Sequence, residues 1–526
     1  MGLWRWASAV AVLILLGAAC KGSPTAAPPP FPSATPPSAA PTAVPTPAPP
    51  TPHPSARYGG TLTVLVDHLP AGLHVWDVQD PLVVTVLGPV YSQLLEIAND
   101  DATVAPDLAY HWEMGPAGTT YTFHLRPDAR FHGGTQVTAQ DVRFSLDYLR
   151  KSTALGQALL AQVTDISAPD GATVVITLAQ PQASLLSYLA LEAMAIVPAS
   201  TSGGTPPGSG PFRLTGGADV RDLARNPNYY LPTRPYLDRV TFQAVSELDA
   251  RVAALRSGQA HMLGLPDGLS ADETNALGSA PGVALDRANS LTQYAFLMNN
   301  RFPPWSDARV RQAASWAIDR GAFAPLAQPL GRPGMLLAPG TYWTTNPLPP
   351  RDLSRSRQLL AEAGVAQPLK VQLMVPSGIL MQEGAFLLKD QLAEAGIELE
   401  PLFHDDAFVR DTVGRSAYQT ALLSLSAPVA DPDYLLGRRY VTGGAESHTK
   451  YSSREADEVF QRQSLAADVT ARRRLVAELE KRIMDDAPAV ALWWQDMVVA
   501  RSSQVHNFHL GTGQQTNLSF QDVWLE

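Results

Sequence analysis

KVQLMVPSGILMQEGAFLLKDQLAEAGIELEPLF, residues 370–403, is the stretch that decides the fold class. Its opening run KVQLMV reads as a strand. FLLKDQLAEAG, residues 386–396, then reads as a helix that closes on Gly396, a residue suited to the left-handed backbone just past a helix end. IELEPLF, residues 397–403, reads as a second strand. Strand, helix and strand in that order need a crossover connection, which favours a parallel sheet covered by helices.

The same logic extends in both directions. GGTLTVLV, residues 59–66, is a β-run, and TYTFHLRPDARF, residues 120–131, starts in period-two alternation. VTAQDVRFSLDYLR follows at residues 137–150, where Thr138 caps and Asp141 takes the third helical position, as in a capping box. Val142, Leu146 and Leu149 share one face of that helix. Towards the C-terminus a helix over residues 472–486 stops before Pro488, and AVALWW, residues 489–494, reads as a buried strand. The expected class is α/β with mixed sheets.

With 526 residues the chain exceeds the size at which one hydrophobic core stops growing, so at least two lobes are expected. A formal net charge of -10 and no long basic run disfavour nucleic acid, whose phosphates call for concentrated lysine and arginine. The first twenty residues carry Arg5, an apolar stretch over residues 6–16, then small residues ending in Cys20, which is the plan of a secretory signal. That stretch is shorter than the ~20 residues of a membrane-spanning helix. Residues 24–54 are almost entirely Pro, Ala, Thr and Ser, a composition that makes an extended stalk rather than a core. Cys20 is the only cysteine, so no intramolecular disulfide is available.

Enzyme signals are thin. The sequence contains no HExxH, P-loop or GxSxG pattern, and Gly511 and Gly513 form a lone GxG that reads as a loop. His506 and His509 sit in VHNFHL, which reads as a strand rather than a metal site, and no metal or cofactor is expected. Asp431 and Asp433 flank Pro432 in LLSLSAPVADPDYLLGRRY, residues 422–440; a catalytic carboxylate pair is one reading and a turn the other. Trp76, Trp305, Trp343, Tyr434, Trp493 and Trp494 are aromatic candidates for a cleft wall or for core.

Several blocks together resemble the family 5 extracytoplasmic solute-binding proteins of ABC transporters, the group of oligopeptide, dipeptide and nickel binders. They are APDLAYHWEM (105–114), TYTFHLRPDARFHGGTQVTAQDVRFSL (120–146), SGPFRLT (209–215), ARNPNYY (224–230), YLDRVTF (236–242), LMNNRFPPWSDARVRQAASWAIDR (297–320), RQLLAEAG (357–364), LLKDQLAEAGIELE (387–400) and LEKRIMDDAPAVAL (479–492). In that order they span essentially residues 58–526.

The resemblance implies a periplasmic-binding-protein-like two-lobe clamshell with an extra domain, closing by a hinge around its ligand. Lobe I is expected from residues 58–95, 207–286 and 488–526, the extra domain from 96–206 and lobe II from 287–487. Residues 1–19 resemble a lipoprotein signal peptide and 20–57 an anchor with a Pro-rich linker. Cys20 would carry the lipid, although Gly17 stands where the lipobox usually has leucine. The implied partners are a peptide or small solute, the ABC permease and the membrane reached through the anchor, with the receptor itself a monomer outside the cytoplasm.

In peptide-binding members, the block around the Asp-Pro pair carries a Trp and then an Asp that holds the ligand's α-ammonium. Here Asp431 and Pro432 keep the pair, while Leu425 and Pro428 stand in the other two places. The expected ligand-binding residues are Trp76, Asn299, Trp305, Leu425, Pro428, Asp431, Tyr434 and Arg438. Arg438, Arg439 and His448 suit an acidic ligand. A sugar, a metal chelate, or an envelope hydrolase or sensor on the same fold stay open as alternatives.

Overall fold

The computed structural model describes residues 53–76, 81–97, 104–201, 204–216, 220–265, 268–327, 329–343, 345–466, 468–513 and 519–526. The signal segment, Cys20 and most of the proline-rich stretch lie outside the described residues.

From the N-terminal side the chain forms β1 (Thr61–Val66), the short pair β2 (Leu95–Ile97) and β3 (Val104–Pro106), and an antiparallel group β4 (Ala109–Met114), β5 (Thr120–Leu125), β6 (Val163–Ser167) and β7 (Thr173–Leu178). β8 (Phe212–Leu214), β9 (Val220–Arg225), β10 (Arg239–Ala244) and β11 (Met262–Leu263) follow, then the long β12 (Val283–Met298). β13 (Gly331–Pro333), β14 (Leu369–Pro376), β15 (Ile397–His404), β16 (Thr420–Ser426) and β17 (Ala489–Ser502) come next, and β18 (Val505–His506) pairs with β19 (Trp524–Leu525).

The stretch that decided the class forms as expected. β14 and β15 pair in parallel from Leu369 opposite Ile397 to Pro376 opposite His404. The connecting helix, Ile379–Ala393, turns Ala385, Leu388 and Leu392 into a core shared with Leu373, Val375 and Trp493. Gly384 inside that helix is explained by packing, since a Cβ there would lie 3.0 Å from the Trp493 ring. The helix ends at Ala393, so Gly396, at φ +91°, lies beyond the cap and turns the chain into β15.

The other local expectations hold with small shifts. β5 alternates strictly, with Tyr121, Phe123 and Leu125 buried. The helix after it, Ala139–Ser152, buries Val142, Leu146 and Leu149, and the Thr138 backbone N–H donates to the Asp141 carboxylate at 2.8 Å. The C-terminal helix, Val469–Asp486, starts three residues before Arg472 because Asp468 caps it, accepting from the Ala471 N–H at 2.7 Å. It stops at Ala487, held at φ +47° ahead of Pro488.

The main sheet runs β15-β14-β16-β12-β17-β11-β1-β10-β9-β8, with β13 beside β17. β1 is central and parallel to both neighbours. Leu62, Val64 and Val66 enter one core with Val240, Phe242 and Val499, while Leu65 enters another with Leu263 and Val498. Burial on both faces is why its sequence is a continuous apolar run.

β12 and β17 belong to both ends of this sheet. Thr292 to Met298 of β12 pair with β16 and with the first half of β17, while Val283 to Asn289 pair with the second half of β17, which also meets β11. The ladder shifts register between Asn289 and Thr292, where Leu291 takes φ +58°. The lobe boundary expected after residue 286 falls inside β12. Within 96–206, β4-β5-β7-β6 make a separate antiparallel sheet. Its core residues Tyr121, Phe123, Leu146 and Ile176 run on into Leu435, Leu436, Val476 and Ile483. The whole is a mixed α/β two-lobe clamshell.

Candidate functional site

The site begins where β16 ends. Ala427 still reaches β12, its N–H donating to the Leu291 carbonyl at 3.1 Å, and residues 428–431 then leave the sheet. Asp431 starts a new helical turn: its Oδ1 accepts the Asp433 N–H at 2.9 Å and its carbonyl accepts from Tyr434 at 3.0 Å. Pro432 lacks an amide proton that the first turn leaves without an intrahelical partner, so the Asp-Pro pair is a helix start. A π-helical turn, Asp433–Gly437, runs on into Arg438–Tyr440.

Both aspartates are buried and share one guanidinium. Arg472 donates to Asp431 at 2.8 and 2.6 Å and to Asp433 at 3.1 Å, while its Nε reaches Gln463 at 3.0 Å. The Ser187 hydroxyl adds a bond to Asp431 at 3.2 Å. Burial raises the Asp433 carboxyl above its ordinary value even though Arg472 opposes this. Burial works against the charge of Arg472, yet the two carboxylates outweigh it and raise the guanidinium's pKa. The acid pair is thus held in an ion cluster, with the Trp343 ring lying 4.9 Å from the Arg472 guanidinium carbon.

In front of this cluster lies a cavity of about 440 Å³. One wall is Trp343 with residues 428–431; the others are β2 at Glu96 and Ile97, the segment 187–192, and the C-terminal stretch including Phe508, His509, Thr512 and Gln521. Such a volume suits a small-molecule ligand. Burial, with the negative charges of Asp107 and Asp522, pushes the Glu96 carboxyl up to about 8, against a bond from Gln521 and the field of Arg126. Glu192 is likewise pushed up to about 8 by burial. Its Oε2 is buried without a hydrogen-bond partner.

Of the eight residues expected to bind ligand, the structure brings Pro428 and Asp431 to the cavity wall. The other six are placed elsewhere. Leu425 is buried with the apolar residues beneath the loop. Tyr434 donates to Glu446 at 2.8 Å, and Arg438 meets the same carboxylate at 3.1 Å. Arg439 donates to the Ser426 carbonyl at 2.9 Å and lies 3.5 Å from Glu446. Although burial raises a carboxyl, Arg439 and Arg438 hold Glu446 below the ordinary range. These guanidiniums serve a protein carboxylate, not the cavity.

Asn299 ties down the end of β12, its amide donating to the Ser416 and Tyr418 carbonyls at 3.1 and 3.0 Å. Trp305 is fully buried, edge-on to Phe296, and Trp493 is stacked on Tyr294 with ring centroids 4.3 Å apart. Trp494 is core, donating to the Met335 carbonyl at 2.7 Å. Trp76 stacks on Tyr148 and donates to the Ala195 carbonyl at 3.2 Å. Among the aromatic candidates, Trp343 lines the cavity.

Glu96, Glu192 and the C-terminal wall residues Phe508, His509, Thr512 and Gln521 were not anticipated. VHNFHL is a strand only at Val505–His506, because Asn507 takes φ +56° and turns the chain. His506 points away to Glu526 at 3.2 Å, whereas His509 reaches the cavity wall. Among the described residues, the group with the spacing of metal ligands is His111, Glu113 and His124, on the hairpin of β4 and β5. None of the three lines the cavity.

Comparison with known proteins points one way. Residues 103–447 match the family described as bacterial extracellular solute-binding proteins, family 5, middle region. The chain is 27% identical over 450 residues to the probable D,D-dipeptide-binding periplasmic protein DdpA of Escherichia coli strain K12, covering 81% of this chain and 86% of that one. It is 25% identical to the glutathione-binding protein GsiB of Pectobacterium atrosepticum, over 86% of this chain and 91% of the relative. The solved structure of HbpA2 from Haemophilus parasuis superposes with a TM-score of 0.79 at 19% identity, covering 89% of this chain and 100% of that one.

Proposed function

Because the chain belongs to the family 5 bacterial extracellular solute-binding proteins, we propose that it captures a peptide or peptide-like solute outside the cytoplasm and presents it to an ABC permease. The observation that carries this reading is the cavity of about 440 Å³, walled by Trp343 and residues 428–431 on one side and by β2 and the C-terminal stretch on the other. Capture is non-covalent: the solute fills the cavity, and lobe movement about β12 and β17 admits and releases it. Trp343, Pro428 and Asp431 form the loop-side wall, and Leu425, Tyr434 and Arg438 support it from behind. Residues 96–206 act as the extra domain and Cys20 as the lipid-bearing anchor, with the proline-rich stretch as its tether.

The relatives named for a D,D-dipeptide and for glutathione support a peptide-like cargo. Pro428 argues that its amino terminus is held differently from that of the peptide binders this family includes. The test is to incubate the full chain with a panel of short peptides and follow melting temperature and peptide integrity together. A bound solute at 100 times its Kd raises stability by about 2.7 kcal/mol without being consumed. Turnover of any panel member would point to a hydrolase instead.

A further inference from the structure

The carboxyls around the cavity outnumber the cations that face them. Asp431 and Asp433 share Arg472, and Asp522 is paired with Arg234. Asp107 accepts from the Tyr230 hydroxyl and from the Gln93 N–H at 2.8 Å, and Arg126 donates to the Asp107 carbonyl at 2.7 Å. Among the described residues Glu96 accepts from the neutral Gln521 amide at 3.3 Å, and the Glu192 Oε2 is buried with no partner. Six carboxyls therefore stand against three guanidiniums, and the cavity wall carries no lysine or arginine. The undescribed residues beyond 52 contain no lysine or arginine either, so none of them supplies a missing countercharge.

Resting on the solute-receptor reading, we propose that the cargo carries a positively charged nitrogen, an ammonium or guanidinium, which Glu96 and Glu192 hold inside the cavity. A buried carboxylate without a cation is strongly disfavoured, whereas a cation within hydrogen-bond distance stabilises it and restores its bonds. Burial accounts for both carboxyls being pushed up to about 8. A cation binds their ionised form, so binding releases protons and tightens as pH rises towards 8. The groups facing the pair are Asp107, Asp522, Arg126 and Tyr229 around Glu96, with Asp431 and Arg472 across the cavity and His509 on its wall.

The full chain is titrated with two peptides of equal shape, N-acetyl-Ala-Arg-Ala and N-acetyl-Ala-citrulline-Ala, whose blocked amino ends leave the arginine guanidinium as the one cation of the pair. The arginine peptide should bind at least 10-fold tighter at pH 8, with the advantage shrinking towards pH 6. It should disappear in Glu96→Gln with Glu192→Gln, while citrulline-peptide binding persists as evidence of folding. Folding has a second readout. Glu192 carries its proton in the folded state between about 4.5 and 8 but not in the unfolded state, so its burial lowers stability as pH rises through that window. Glu192→Gln should therefore melt above the parent at pH 8. Equal affinity for the two peptides, an advantage that survives the double variant, or no binding of either overturns the proposal. A neutral or anionic solute seen on the purified chain by native mass spectrometry would overturn it while leaving the receptor reading intact.

Discussion

At the scale of single residues, Arg472 decides what the Asp-Pro loop is. Its Nη atoms donate to Asp431 and Asp433 together, so both carboxylates are tied into one ion cluster. Arg472→Leu would leave two carboxylates buried without a cation and should destabilise the protein by about 3–5 kcal/mol, read as the shift in urea midpoint. Adding Asp431→Asn and Asp433→Asn should recover most of that loss, because amides do not need the guanidinium. The turn itself was legible from Asp and Pro in sequence. Arg472 was not, because it comes from a helix 41 residues on from Asp431 and only tertiary packing brings them together. Glu96 and Glu192 were hidden for the same reason: nothing local in LEI or LEAM marks a half-buried carboxylate beside a cavity.

At the scale of elements, local signals were read well wherever hydrogen bonding is local. The helix Ala139–Ser152 was visible in its cap, yet Asp141 does more than cap: its second oxygen accepts the Ala199 N–H at 2.7 Å, tying the helix to a chain 58 residues away. Asp141→Ala should therefore exceed the ~1 kcal/mol of a lost cap. An orphaned amide adds about 1–3 kcal/mol, so a fall in melting temperature larger than that of a simple cap variant is expected by calorimetry. VHNFHL was misread because alternation predicts a strand only while φ stays negative, and Asn507 breaks that condition. The cavity-facing histidine follows from one dihedral that no periodicity records.

At the scale of the whole molecule, the order of the family's blocks made the clamshell legible, while periodicity says nothing of which strands neighbour β12 and β17 along the sheet. The proposed lipid on Cys20 is tested on the intact chain. Cys20→Ser should move the protein from the detergent-rich to the aqueous phase on Triton X-114 partition, with peptide affinity in solution unchanged. β17 carries a further consequence for how the molecule is made. It is central in the sheet, with β12, β13 and β11 beside it, yet it is nearly the last long element in the sequence. A ribosome that has not yet released residue 502 therefore displays a polypeptide in which the strand that links β12 to β11 is missing. Contacts of such long sequence separation also make folding slow. The strand that joins the two ends of the sheet is thus the last long one to be made.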